Sequence, residues 1–518
     1  MKTNTLLKLF LAPAYLFFLV GCNEINKNNN PSGDGDVIVP DETLDDLDDT
    51  VVLSNSENYL AFWNSSSSLS INIEMSQEAA NFINSYQSNH NDSSYFDYYV
   101  PCTFTLTMNG TVYTFEETGI RQKGNMSRTE MLVDNNFSLD SLAHYKLSFK
   151  ETFDGDEYDN IEPLKQFAKT WDVSSERTTR KNRTLFDMEK IDIKWNRNDD
   201  QTKCKQSYAL KTFRENGVLA GHDTLADTTL KISGKTPIST TYEILECIDS
   251  VFVKRHFNKD HADGDLYKCT YTDRGPANFS SSYAIGNQIG VEKNTINYHP
   301  VYDLKTNKKK NTTHTGLFNL FNVINSTVDA NTFKTNIEEV LDIKRFIKYE
   351  AIAYLLGNFD DMRNNANNYY LYIASKSNMA YIIPYDFDRC LGTGCEGRKD
   401  YMTDFSPEST KMQCNNDWQS INLYWRTVCT STSSHTNIKQ VEEYRALYQK
   451  YIEDLLNNKI VSSETFNSYV DSFPASYRGN KNGSGNDNIS FSNYLSKKIK
   501  SIKDSNDKGL ISYNITVE

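Results

Sequence analysis

The stretch that most restricts the fold is residues 358–388, NFDDMRNNANNYYLYIASKSNMAYIIPYDFD. YYLYIA and MAYIIPYDF read as two short apolar strands of a hairpin that needs cover on both faces. The ends of the hairpin are the opposite of apolar. Asp360 and Asp361 lead into it, Asn367 and Asn368 stand before the first strand, and Asp386 and Asp388 follow the second. Antiparallel pairing brings Asn368 and Asp386 to the same end. Upstream, VLDIKRFIKYEAIAYLLGNF (340–359) repeats its apolar residues at three- and four-residue steps, so a long buried helix ends where Asp360 begins.

Carboxylate and carboxamide oxygens converging on one point suit a hard cation such as Mg2+, which takes oxygen ligands and keeps several waters. A further aspartate nearby can orient or deprotonate a hydroxyl. An Asp, then an Asn, then Asp386-Phe387-Asp388 is also the order in which protein kinases present a catalytic-loop Asp, a metal-binding Asn and the metal Asp of D-F-G. The chain has no H-R-D or A-P-E.

The remaining pattern is mixed. TFTLTMNGTVYTF (103–115) alternates around Asn109-Gly110 and predicts a hairpin. In HYKLSFK, Tyr145, Leu147 and Phe149 alternate with Lys146, Ser148 and Lys150. Strands are expected at 206–213 and within STTYEILECID and DLYKCTY. Helices are expected at 174–190, 317–325 and 441–458. A β-rich first half followed by a helix-rich second half is an α+β arrangement.

The N-terminus speaks to location. Lys2 and Lys8 flank the apolar LFLAPAYLFFLVG, which ends in Leu19-Val20-Gly21-Cys22, a bacterial lipobox pattern. Residues 1–21 are therefore expected to be a lipoprotein signal peptide and Cys22 the lipidated residue. Residues 22–55, rich in Asn and Asp, are expected to form a flexible stalk. The expected location is the cell envelope, outside the cytoplasm, with a lipid anchor and no span. The other eight cysteines, an even number, permit disulfides there. They show no zinc-like C-x-x-C spacing. A net charge of -13 argues against nucleic acid as a partner, and the Lys308-Lys309-Lys310 run reads as a solvated loop. FDGDEYDN (153–160) lacks the glycine spacing of a calcium loop, and HFNKDH (256–261) is not a metal motif.

GIRQKGNMS, HYKLSFK, YEILECIDSVFVKRHF, DLYKCTY, YDLKTNKKKN, GNFDDMRNNANNYYLY and IIPYDFDRCLG occur in the family order of the CotH proteins. Over roughly residues 70–455 the chain resembles these spore-coat-protein-H-like atypical kinases. The resemblance implies a divergent protein-kinase-like fold at 56–457, followed by a polar extension at 458–518. It implies use of ATP and Mg2+ on a surface or secreted protein substrate. Asp360 would be the catalytic-loop aspartate, with Asp361 the alternative. Asn368 or Asn367 and Asp386 would hold Mg2+, supported by Asp388. Lys146 would pair with nucleotide phosphates, with Glu189 as a possible ion-pair partner. Arg121 and Lys123 would cover the phosphates, and Glu246 would lie near the nucleotide. A non-catalytic surface module keeping this fold is the competing expectation, and metal-assisted hydrolysis a third.

Overall fold

The computed structural model describes residues 56–85, 98–150 apart from 125–126, 128, 130, 134–135 and 138–141, and 161–517 apart from 163, 174–176, 293–297, 311, 395–401, 409–420, 430–439, 486–487 and 507–511. The signal segment, Cys22, the stalk and FDGDEYDN lie outside these residues.

The strands in chain order are β1 Leu69–Met75, β2 Val100–Met108, β3 Thr111–Lys123, β4 Leu132–Val133, β5 Asn136–Phe137, β6 His144–Ser148, β7 Lys190–Lys194, β8 Asp223–Ile232 and β9 Ile238–Glu246. They are followed by β10 Asp265–Cys269, β11 Ile289–Gly290, β12 Tyr302–Leu304, β13 Tyr369–Ile373 and β14 Ala380–Pro384. Seven of them close a barrel in the order β1-β2-β3-β6-β7-β9-β8, sealed by parallel pairing of β8 with β1. Alternation decides what each face carries. Ile71, Ile73, Phe104, Leu106, Tyr145, Leu147, Ile191, Ile193 and Ile244 form one interior cluster. Arg121, Lys146 and Asp192, which stand opposite one another across β3, β6 and β7, point outward.

The second sheet has the order β11-β12-β10-β13-β14. On one face Leu266, Tyr370, Tyr372, Tyr381 and Ile383 pack with Leu219, Ile248 and with Phe252 and Val253 of the helix Ser250–His256, which connects the barrel to this sheet. On the other, Tyr267, Tyr302, Tyr369, Leu371 and Ile382 join the large helical core. The helix Ile343–Leu356 is buried along nearly its whole length, as its sequence pattern predicts. The helices Ser463–Ser472 and Phe491–Asn506 add Phe466, Val470, Phe491, Tyr494 and Ile502 to the same core. Among the described residues no helix is long and apolar enough to cross a membrane.

Two local expectations change. Residues 206–213 lie in a helix, Lys205–Glu215. Its short buried run fits either period, and good helix formers such as Lys, Gln, Ala and Leu settle it. The expected helix at 174–190 is reduced to Arg177–Lys181; Phe186 and Asp187 adopt positive φ, and β7 begins at Lys190. In the polar extension, the Asn488 side chain donates to the carbonyls of Asn198 and Asp199 at 3.0 and 2.7 Å.

Candidate active site

The outward residues of β3, β6 and β7 would be solvated on an isolated barrel, but the end of the hairpin covers them. Asp192 accepts ion pairs from Lys123 at 2.9 Å and Lys146 at 3.2 Å, and all three are largely buried. Burial alone would raise the Asp192 carboxyl; the two ammonium groups outweigh it and hold it well below its usual range. Lys123 also donates to the Tyr385 hydroxyl at 2.9 Å, across the gap between barrel and hairpin. Next along β7, Lys194 ion-pairs with Asp386 and, at 3.0 Å, with Asp388. Burial opposes charge on Lys194, yet the two aspartates raise its ammonium well above the ordinary value and it in turn holds Asp386 low. Burial, Lys194 and Lys123 keep His144 neutral, with a pKa lowered to about 3.

The hairpin supplies the opposite wall. Tyr369 pairs with Pro384, so Asn368 and Asp386 stand at one end, as the sequence predicts. Both adopt the left-handed backbone, φ 54 and 58. Asn358 joins the two sides: its amide donates to the Asp386 carbonyl at 3.1 Å and its Oδ1 accepts from the Asp360 N–H at 3.1 Å. Gly357, at φ 61, turns the chain out of the preceding helix, and a Cβ there would strike the Tyr494 hydroxyl.

The two candidate catalytic aspartates differ. Asp361 caps the short helix Met362–Asn365, accepting from the backbone N–H and the side-chain amide of Asn364 at 2.9 Å each. It is 1% exposed, and burial pushes its carboxyl up to about 7. Asp360 is only partly buried. It accepts from Asn365 at 2.6 Å, Asn367 at 3.1 Å and Asn368 at 3.0 Å, and burial raises its carboxyl. The Oδ1 of Asn367 is engaged by the Tyr271 N–H at 2.9 Å, whereas Asn368 uses its amide nitrogen towards Asp360.

The other sequence candidates are placed less centrally. Arg121 lies on the same barrel face as Lys146, stacks over Tyr99 and donates to the Gln122 carbonyl. Glu246 ends the last barrel strand, just before the connection to the second sheet. Its carboxylate, however, accepts from Tyr59 at 2.7 Å and the His222 N–H at 3.1 Å. Glu189 is not on a helix and pairs with Lys150 at 2.5 Å, leaving Asp192 as the partner of Lys146. The six described cysteines, Cys102, Cys204, Cys247, Cys269, Cys390 and Cys429, are buried free thiols, so the disulfides their number permits do not form among them.

Asp192, Lys194, Tyr385 and Asn358 were not singled out by sequence reasoning. The signal for the first two was KIDIK (190–194), where Ile alternates with Lys and Asp, obscured by reading the preceding residues as helix.

The donor set around Asp386 fits a divalent cation. Two carboxylates already hold one cationic group, the Lys194 ammonium, and the Asn368 carboxamide stands at the same end. Among the described residues no group of three or more His, Cys, Asp or Glu side chains is placed to hold a metal ion. A cation here would therefore complete its shell with phosphate oxygens and water, as Mg2+ at nucleotide sites does. Beside this point a small open pocket is lined by Lys194, Trp195, Asn198, Gln206, Glu243 and Asp388.

A lysine–aspartate wall facing an aspartate–asparagine hairpin is the equipment of a kinase-like protein. The chain belongs to the CotH family: the family model, described as CotH kinase protein, matches residues 120–483. No curated protein matches it. Among solved structures it is similar to the Helicobacter pylori proinflammatory kinase CtkA, at 11% identity and a TM-score of 0.23, over 61% of this chain and 92% of that one. A likeness that distant carries no argument about layout or chemistry.

Proposed function

We propose that the protein is an atypical protein kinase of divergent kinase-like fold that moves the γ-phosphoryl group of ATP to a Ser or Thr hydroxyl of a surface or secreted protein. It would act from the cell envelope, tethered by lipid at Cys22. The observation that carries the reading is the meeting of two sets of residues across one gap: Lys123, Lys146 and Lys194 with Asp192 on the barrel, and Asp360, Asn368, Asp386 and Asp388 on the hairpin. Lys146 would neutralise nucleotide phosphates, with Asp192 fixing its position. Asp386, Asp388 and Asn368 would hold Mg2+, which supplies charge neutralisation at the phosphates when bound. Asp360 would orient the acceptor hydroxyl and receive its proton, its carboxylate aimed by three asparagine amides. Asp361, committed to a helix cap, would shape the loop instead. Catalysis of this kind is positioning and electrostatics.

The test is incubation of the full chain and cell-envelope protein with labelled ATP and Mg2+. Label is expected to enter protein with the wild type and to vanish with Asp386→Ala and Asp360→Ala. Equal labelling by these variants overturns the assignment. Phosphate release without protein labelling favours hydrolysis, and absence of both favours a non-catalytic surface module.

A further inference from the structure

Lys268 lies on β10, in the face of the second sheet that turns towards the barrel, beside Tyr370 and diagonal to the site. Its partner across the antiparallel ladder is Asp303, the natural carboxylate for a lysine at that position. Asp303 is already used. It ion-pairs with Lys305 and accepts the Glu292 N–H at 3.1 Å, while Glu292 in turn is held by Lys305 at 3.6 Å and His299 at 3.1 Å. The Lys268 ammonium instead sits over the ring of Tyr385, 5.4 Å from its centroid, and the Lys123 ammonium lies 5.6 Å from the same centroid. Lys123, Lys146, Lys194 and Lys305 each have a carboxylate within ion-pair distance, and no such pair is formed by Lys268 among the described residues. Burial, then Lys305 and Lys123, lower its ammonium to about 8, the mark of a cation lacking a counter-ion.

We propose that Lys268 is a second phosphate-binding lysine of the site, taking a terminal phosphate of the nucleotide from the sheet side while Lys146 takes phosphate from the barrel side. The inference rests on the nucleotide reading above. Tyr385 links the two sides: its ring lies under both Lys268 and Lys123, its hydroxyl accepts from Lys123, and the next residue is Asp386. An anion arriving there would supply the negative charge that Asp303 does not.

The experiment is titration of the full chain, with Mg2+ present, by ATP, ADP and adenosine, for the wild type, Lys268→Met and Lys268→Arg. A charge-assisted phosphate contact predicts that Lys268→Met binds ATP about tenfold to a hundredfold more weakly. Adenosine binding should stay within about twofold, and Lys268→Arg should recover part of the loss. Without ligand, Lys268→Met should melt no lower than the wild type, because it removes a cation repelled by Lys305 and Lys123. ATP and adenosine affinities that change together, or an unchanged ATP affinity, overturn the role of Lys268 while leaving the nucleotide site intact. A wild type that binds no nucleotide overturns both readings.

Discussion

Replacing Asp192 by asparagine removes the one carboxylate that serves two buried lysines and leaves the shape of the site nearly unchanged. Lys123 is 10% exposed and Lys146 20%, and Asp192 itself is 3% exposed, so water can replace little of what is lost. After the change Lys123 keeps the Tyr385 hydroxyl and Lys146 keeps the Cys247 sulfur at 3.5 Å, neither of them charged partners. Breaking a buried pair from one side costs about 3–5 kcal/mol. The roughly 380 described residues, at about 2.1 cal/mol/K each, give an unfolding entropy near 0.8 kcal/mol/K, so the melting temperature should fall by about 4–6 °C. Differential scanning calorimetry measures it directly. The cause is checked by the triple change Asp192→Leu, Lys123→Met and Lys146→Met, which removes all three charges and should restore most of the loss. A melting temperature for Asp192→Asn within about 1 °C of the wild type, against the several degrees a buried-pair loss requires, would refute the claim that these charges are mutually dependent.

Other outcomes follow from the same geometry. Asp361→Ala should cost about 1–2 kcal/mol in denaturant melts through loss of a helix cap. Asp360→Asn should leave those melts near the wild type while abolishing labelling; the reverse pattern would exchange the two roles. Lys194→Met frees Asp386 and Asp388 from their ammonium, so Mg2+ should raise the melting temperature of this variant more than that of the wild type, and an equal rise counts against a cation at these carboxylates. Burial raises the Glu350 carboxyl from 4.5 to about 8, although Tyr424 donates to it at 2.7 Å. The folded state then holds this proton more tightly than the unfolded one, and this contribution to stability falls as pH rises between these two values. Glu350→Gln keeps an acceptor for Tyr424 and should flatten that fall in urea melts at pH 5.5 and 8; an unchanged slope would exclude Glu350 as its source.

The hairpin, its flanking aspartates and the helix that delivers them were legible because strong apolar patterns and dense polar residues stood side by side in 340–388. The barrel was legible only as scattered strands. Its closure depends on pairing β1 with β8, more than a hundred residues apart, and no local pattern carries that information. KIDIK shows why the barrel side of the site was half seen. Its Lys and Asp share one strand face, and only a distant hairpin covers that face and turns Asp192 and Lys194 into buried ions. The different settings of Asp360 and Asp361 were likewise invisible, since adjacent aspartates look alike until one is seen capping a helix.

Barrel closure also bears on where the chain can be cut. The family match begins at residue 120, inside β3, and ends at 483. A fragment trimmed to those limits would lose β1, β2 and most of β3, leaving β8 without β1 and only a four-residue remnant of β3 beside β6, edges that recruit other chains. It would also lose the helix Phe491–Asn506, whose Tyr494 lies against Gly357 at the entrance to the aspartate loop. Recombinant work on this protein should therefore start ahead of residue 69 and keep the C-terminal helix. A family boundary marks what related sequences share, which here is less than the piece that folds.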